Sequence, residues 1–310
     1  MKIYALKKIA LLFPLLLGIT LITFFLTKSL PGDPVYSMVG QRASPESIEK
    51  IRKEIGGDKN IIGQYTGYIY LLLKGEMGRS YYTNKEVFDD LRTKFPNTLK
   101  LALGAMLIAI PLGVLLGLYS ALRKDSAIDR IISVSSVSFL SIPVFWSGLI
   151  LMLFLSLRMK LLPPSGTGGI QYMLLPAFTL ALPALGTIVR VTRISVLDIT
   201  GMPFIRTAEA KGIIRARVYL VHVLKNALVP VVTIIGLEFG SYLNGAVLTE
   251  SIFGWDGIGR FAMEGIMKRD YPVIMGCVIS GTIVFVLMNM LVDIAYHYID
   301  PRMRIHGLDN

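Results

Sequence analysis

Residues 204–230 read FIRTAEAKGIIRARVYLVHVLKNALVP, a run that sets five bases against one acid. It lies between two apolar segments, in a chain of 310 residues that is 53% hydrophobic with a mean hydropathy of +0.60. Only 17% of the residues are charged, against about a quarter in ordinary soluble domains. The apolar excess comes in long blocks, which is the pattern of an integral membrane protein. What the fold does with this basic, helix-prone stretch depends on which side of the bilayer it meets.

Outward from it, six apolar blocks cover 9–27, 98–122, 131–157, 173–196, 229–248 and 272–299. Each is close to or above the roughly twenty residues a helix needs to cross the hydrocarbon core. The first follows Lys2, Lys7 and Lys8 and is too long for the core of a signal peptide. KSLPGDP, not a small-residue cleavage site, comes after it, so it reads as a retained helix. Pro111, Gly113, Gly117, Pro143, Pro176, Pro183, Gly236 and Gly240 fall inside the blocks. Membrane helices tolerate these because neighbours satisfy freed backbone groups and small residues allow close approach.

Between the first two blocks, 31–97 is polar, with ten bases and nine acids. Within it SPESIEKIRKEIG predicts a capped amphipathic helix, with Ser44 as N-cap, Pro45 in the first turn and Gly56 as the stop. GQYTGYIYLLLKGEMG carries an aromatic face suited to the membrane surface or to neighbouring helices.

Six spans put both termini on one side, together with 123–130 and 190–226. That side holds fifteen Lys and Arg against six acids, so nine of the eleven net charges lie on one face. The positive-inside rule makes that face cytoplasmic, and a long loop such as 31–97 crosses largely regardless of its charge. The basicity is therefore topology, and no nucleic-acid partner is expected. Nor is there a motif for soluble chemistry: no Gly-x-x-x-x-Gly-Lys-Ser/Thr loop, no His-Glu-x-x-His, no Gly-x-Ser-x-Gly. Cys277 stands alone, and His222, His297 and His306 are too far apart in sequence for a local metal site. The chain is read as a non-enzyme with no catalytic residue and no metal ligand.

The opening stretch then lies in a cytoplasmic loop between the fourth and fifth spans. Ile214, Val218, Val221, Leu224 and Leu228 recur at intervals of three and four and predict one helical stripe. Lys211, Arg215, Tyr219, His222 and Asn226 fall on the opposing face. PFIRTAEAK predicts a second short helix, with Pro203 at its start and Gly212 permitting a turn at its end. Two short helices around a glycine make a knob at the membrane surface. Physics leaves two uses for it: an interfacial helix whose bases meet anionic headgroups, or a docking element that enters a groove on a cytoplasmic partner.

The stretch resembles the coupling loop of bacterial ABC importer permeases, whose pattern is Glu-Ala-Ala, three residues, Gly, nine residues, Ile-x-Leu-Pro. Gly212 fits the glycine, Thr207 and Ala208 the two alanines, and His222 and Leu224 the Ile and Leu. Arg206 stands in place of Glu and Lys225 in place of Pro, departures shared with the dipeptide/oligopeptide/nickel subgroup through RTA-x-AKG and H-x-L-x-NAL-x-P. PGDPV, SIPVFWSGL, LLPAFTLALPALGTIVRVTR, GAVLTESIFGWDGIGRFAMEGIMKRDYPVI and NMLVDIAYHYIDPRMR are similar to the same subgroup, in order along the chain. Asp256 replaces a proline common in the outer loop. The long 31–97 segment resembles the first of the two paired permeases.

The resemblance implies an all-α integral membrane protein of six transmembrane helices. An extracytoplasmic insert, 31–97, would separate helices 1 and 2, after an N-terminal tail and first span at 1–30. The permease core would cover 98–299, with the coupling loop at 198–228 between helices 4 and 5, and 300–310 as a cytoplasmic tail. It implies a multi-pass protein of a bacterial or archaeal inner membrane, half of a heterodimeric pathway with a second homologous permease. Two cytoplasmic ABC ATPase subunits would bind ATP and Mg, so this chain itself holds no cofactor, and an extracytoplasmic binding protein would deliver substrate. Arg206, Thr207, Ala208, Glu209, Gly212, His222 and Leu224 are the residues expected to couple to the ATPases.

For the pathway, Glu238 lies mid-span in IIGLEFGSYLNG, either a functional ionisable group or a buried acid paired to a neighbouring helix. Asn244 and Asn289 are either pore lining or interhelical hydrogen-bond formers. Arg190 and Arg193 read as topology anchors, Trp146 as packing, and Trp255 as an interface residue or one facing the binding protein. Peptides are favoured over nickel as cargo, since no His- or Cys-rich membrane site is visible. A secondary transporter or channel calls for several charges within spans, and the sequence places only Glu238 centrally. A scaffold subunit without a transport role is the third reading.

Overall fold

A chain this apolar must satisfy its backbone groups internally wherever it meets lipid, and helices do so within one segment. In the computed structural model the described residues are 2–29, 35, 38, 44–54, 60–214, 217–243 and 246–299. Among them the regular structure is helical, apart from one isolated antiparallel bridge between Arg79 and Glu86. The helices are α1 (Lys2–Ser29), α2 (Pro45–Glu54), α3 (Ile61–Leu73), α4 (Val87–Leu122), α5 (Ala127–Ser141) and α6 (Val144–Leu151), the last continued by a π-helical stretch, Met152–Arg158. There follow α7 (Ile170–Thr200), α8 (Pro203–Ala210), a second π-helical stretch at Val218–Val223 running directly into α9 (Leu224–Leu243), α10 (Val247–Ile252), α11 (Ile258–Lys268) and α12 (Tyr271–Ile299). Among the described residues five helices are long and apolar enough to cross a membrane, and six spans result if α5 and α6 count as one.

The stretch 131–157, read from the sequence as one span, is thus broken into two helices. α5 and α6 meet at 104°. The cause is Pro143: the residue before a proline is pushed out of the helical region, and Ile142 sits extended at φ −78°, ψ 125°. Trp146, expected in packing, is half-exposed on the α6 side of this bend. α4 also begins earlier than the apolar block, at Val87, within the stretch read as insert. PGDPV (except Val35), Gly56 and the tail 300–310 lie outside the described residues.

The chain divides into two compact units: Met1–Leu99 with Asn244–Val286, and Lys100–Leu243 with Leu287–Asn310. In the second unit α7 packs against α5, α6 and α9. The glycines set how closely. A Cβ on Gly113 would lie 2.6 Å from Ile188, one on Gly117 2.7 Å from the Val189 carbonyl, and one on Gly186 2.5 Å from the Ser136 carbonyl. Small residues four apart thus let α4 lie almost backbone to backbone on α7, as membrane helices commonly do.

In the first unit, Val87, Leu91, Ile258, Val273 and Cys277 form an apolar cluster. Gly276 has Val87 2.5 Å from where its Cβ would sit. α3 leans on α1 through the Phe24 and Tyr65 rings, 5.3 Å apart, and through the Tyr65 and Thr20 hydroxyls, 3.2 Å apart. The aromatic face of α3 therefore has a helix partner.

Candidate functional site

α8 starts at Pro203, whose fixed φ and missing N–H suit the first helical position. It is eight residues long, too short to stand alone in water. Its stability comes from burying Ile205 and Ala208, three residues apart on one face. They enter a cluster with Leu118 and Ala121 of α4, Val196 of α7, and Val218, Val223 and Ala227. Phe204, Arg206, Thr207 and Glu209 face out.

The helix ends at a Schellman turn. The Gly212 N–H donates to the Glu209 carbonyl at 2.9 Å and the Ile213 N–H to the Ala208 carbonyl at 3.3 Å. Gly212 holds φ +72°, and a Cβ there would meet nothing within 4 Å. The glycine is thus required by backbone conformation, not by space. Ile213 closes the turn by packing on the same cluster.

Of the two short helices expected around Gly212, the one over 214–228 does not exist as a separate element. Val218–Val223 is a π-helical stretch continuous with α9, and the combined span runs Val218–Leu243. The π turn also shifts the phase of the apolar stripe. Val218, Val223 and Ala227 are buried, at steps of five and four, whereas Ile214 is 76% and Val221 49% exposed. A fixed 3.6-residue period placed both of these inside. Leu224 is half-buried against the cluster and His222 is half-buried, its carbonyl accepting from the Asn226 amide at 2.6 Å. Arg215 lies outside the described residues. The candidate coupling residues thus divide: Arg206, Thr207, Glu209 and Gly212 are presented outward, while Ala208 and Leu224 hold the helix down.

Next to this knob is a group the sequence reading missed. Asp129, buried at 3% exposure near the start of α5, accepts from Arg193 Nε at 2.7 Å and Nη2 at 2.8 Å. Ser120 Oγ donates to Oδ1 and the Asp125 N–H to Oδ2. Arg193 is therefore more than a topology anchor, while Arg190 is exposed. The only sequence signals were an acid in the first turn of a helix and a base on the next long one.

The pathway candidates are dispersed. Glu238 is half-buried on α9, while the Thr187 hydroxyl of α7 donates to its own helix at the Pro183 carbonyl, 3.1 Å away. Asn289 is half-buried on α12, and Asn244 lies outside the described residues. Among the described residues no group of three His, Cys, Asp or Glu is placed to hold a metal ion.

The first unit explains GAVLTESIFGWDGIGR. The Glu250 carboxyl, fully buried, accepts from the Arg260 N–H at 3.0 Å and from Thr98 Oγ1 at 2.7 Å, and Thr98 Oγ1 accepts from the Ile258 N–H at 2.9 Å. A distant acid and a threonine thus cap the first turn of α11, whose own N-cap is Gly257. A Cβ on Gly257 would fall within 3.0 Å of that carboxyl. Burial pushes the Glu250 carboxyl above its ordinary range, and the hydrogen bonds from Arg260, Thr98 and Gly259 pull the other way. Trp255 is buried at 4% exposure, its indole N–H on the Asn97 carbonyl at 2.9 Å, so it faces neither solvent nor a partner here. Asp256 pairs with Lys94 and accepts from the Asn97 amide at its carbonyl.

Long apolar helices, with the short α8 held on a packed helix junction between two of them, define a polytopic helical membrane protein. Residues 113–305 match the family described as binding-protein-dependent transport system inner membrane component, and residues 1–102 match its N-terminal family. The chain belongs to this family and is a multi-pass inner-membrane permease, a non-catalytic component of a larger transport system. It is 37% identical to the dipeptide transport system permease protein DppB of Escherichia coli K12, over 97% of this chain and 98% of that protein. It is 37% identical to the di/tripeptide permease protein DppB of Pseudomonas aeruginosa, over 96% and 97%, and 34% identical to the glutathione permease protein GsiC of Escherichia coli, over 97% and 98%. The fold is shared with the MetNI methionine ABC transporter, at a TM-score of 0.55 and 19% identity over 68% of this chain and 96% of that one.

Proposed function

We propose that this chain forms half of the translocation pathway of an ABC importer for di- and oligopeptides, paired with a second homologous permease. ATP and Mg are bound by two separate cytoplasmic ATPase subunits, and an extracytoplasmic binding protein delivers the peptide. The termini and α8 face the cytoplasm, where the basic residues concentrate. α8 seats in a groove on an ATPase subunit through Phe204, Arg206, Thr207 and Glu209, and nucleotide-driven closure moves it. Rigid-body rocking of the helices then switches access across the membrane. Relatives named for dipeptides, di/tripeptides and glutathione, itself a tripeptide, support the peptide class over nickel.

The observation that carries the reading is the division of labour on α8: Ile205 and Ala208 are buried in its own unit while its polar residues point outward. That is how helix-in-groove recognition presents a surface without unfolding its base. Copurification tests it. The ATPase subunits are expected to come down with the wild-type chain and to be lost when Phe204, Arg206 and Glu209 are replaced together by Ala, with membrane insertion unchanged. Recovery of ATPases with that triple variant at wild-type yield refutes the docking assignment.

A further inference from the structure

The end of α4, the start of α5 and the last part of α7 converge on one carboxylate. Every lone-pair direction of Asp129 is used: Oδ1 accepts from Arg193 Nε, Ser120 Oγ and, at 3.4 Å, Ser133 Oγ, and Oδ2 accepts from Arg193 Nη2 and the Asp125 N–H. One turn or less away, the same helices hold α8. Leu118 and Ala121 flank Ser120, Val196 follows Arg193 by three residues, and all three are buried with Ile205 and Ala208. Beside the ion pair, Gly117 lies so close to Thr192 and the Val189 carbonyl that a Cβ would clash with both.

The two kinds of contact do different things. The apolar cluster under α8 is non-directional, so it holds α8 down without fixing the angles between the helices that carry it. A bidentate guanidinium–carboxylate pair fixes both distance and angle. We propose that the Asp129–Arg193–Ser120 clamp is a positioning device that makes α4, α5 and α7 move as one body with α8. Displacement of α8 then reaches the spanning helices instead of being absorbed at the membrane surface. This rests on the reading of α8 as the coupling helix.

Stability alone does not explain such a pair. Replacing both members of a buried ion pair by apolar residues is often neutral or stabilising, whereas removing one partner is strongly destabilising. That contrast supplies the test. The complete transporter, with its ATPase subunits and binding protein, is reconstituted in liposomes, with mixed di- and tripeptides as the probe. The double variant Asp129→Leu/Arg193→Met is expected to keep its ATPase subunits and its basal ATP hydrolysis. Stimulation of hydrolysis by the loaded binding protein is expected to fall about tenfold, within the range of coupling free energies between distant sites.

Spin labels at Met202→Cys and Ile131→Cys, in a Cys277→Ser background, read the motion directly. In the otherwise wild-type chain their distance distribution stays the same between the nucleotide-free and ATP–vanadate states, and in the double variant it shifts or broadens. Full stimulation with an unchanged distance in the double variant overturns the proposal. Should that variant fail to insert, Arg193→Lys carries the test, since it keeps the charge and loses the fork: normal stimulation there overturns the proposal equally. If the wild-type chain itself brings down no ATPase, the coupling reading falls and this inference with it, an outcome distinct from loss of stimulation in the variants alone.

Discussion

Replacing Gly212 separates a conformational requirement from a contact requirement. At φ +72° an L-residue is penalised by its own backbone, by about 1–2 kcal/mol, while asparagine tolerates the region because its short polar side chain bonds locally. No neighbour stands within 4 Å of a Cβ at this position, so nothing is added by packing within this chain. Alanine is then expected to cost about 1 kcal/mol and a β-branched valine up to about 3 kcal/mol. Loss of the turn releases the bonds to Glu209 and Ala208 that end α8 and lets Ile213 leave the cluster. The assay is peptide-stimulated ATP hydrolysis in the reconstituted transporter, alongside membrane insertion. The expected order is wild type, then Gly212→Asn close behind, then Gly212→Ala, then Gly212→Val with stimulation reduced at least about tenfold, the factor that 1.4 kcal/mol corresponds to. Activity that follows side-chain size, with alanine above asparagine, refutes the conformational argument and points to a partner pressed against the glycine.

Glu209→Lys, a charge reversal on the outward face of α8, is expected to abolish peptide-stimulated hydrolysis while insertion stays normal, and retained stimulation counts against the docking face. Gly117→Val is expected to destabilise the second unit by about 1–3 kcal/mol through overpacking against Thr192 and the Val189 carbonyl; a thermal-unfolding midpoint in detergent equal to that of the wild type contradicts the close α4–α7 contact. Glu250→Ala leaves the Arg260 N–H and the Thr98 hydroxyl without their acceptor, at about 1–3 kcal/mol, and is expected to speed proteolysis within 247–270. The same carboxyl carries a pH dependence. Because burial raises its folded-state value, its contribution to stability is fully present below the ordinary carboxyl value of 4.5 and is lost as pH rises through the higher folded value. Glu250→Gln should flatten that slope, and an unchanged slope assigns it to another group.

Much of the site was legible because it depends on local chemistry. Pro203 at a helix start and Gly212 at a helix end are signals a few residues long, and the structure places both where those signals put them. The stripe from Ile214 to Leu228 was misread for an equally local reason: a single π turn changes the period, and apolar spacing carries no mark of where the hydrogen-bond ladder slips. Asp129 and Glu250 were not singled out because each looks, in sequence, like an ordinary acid near a helix start. Their partners lie 64 and 152 residues away.

By itself the sequence determined that the chain is helical and membrane-embedded, roughly where it crosses, and where the short exposed helix must turn. These follow from the hydrocarbon thickness, which demands long apolar runs, and from the φ that one glycine alone adopts freely. The tertiary structure decided how α8 is seated on its cluster and which acids are buried in networks. Those depend on pairing free energies between residues far apart in the chain, and no local window of sequence contains both members of such a pair.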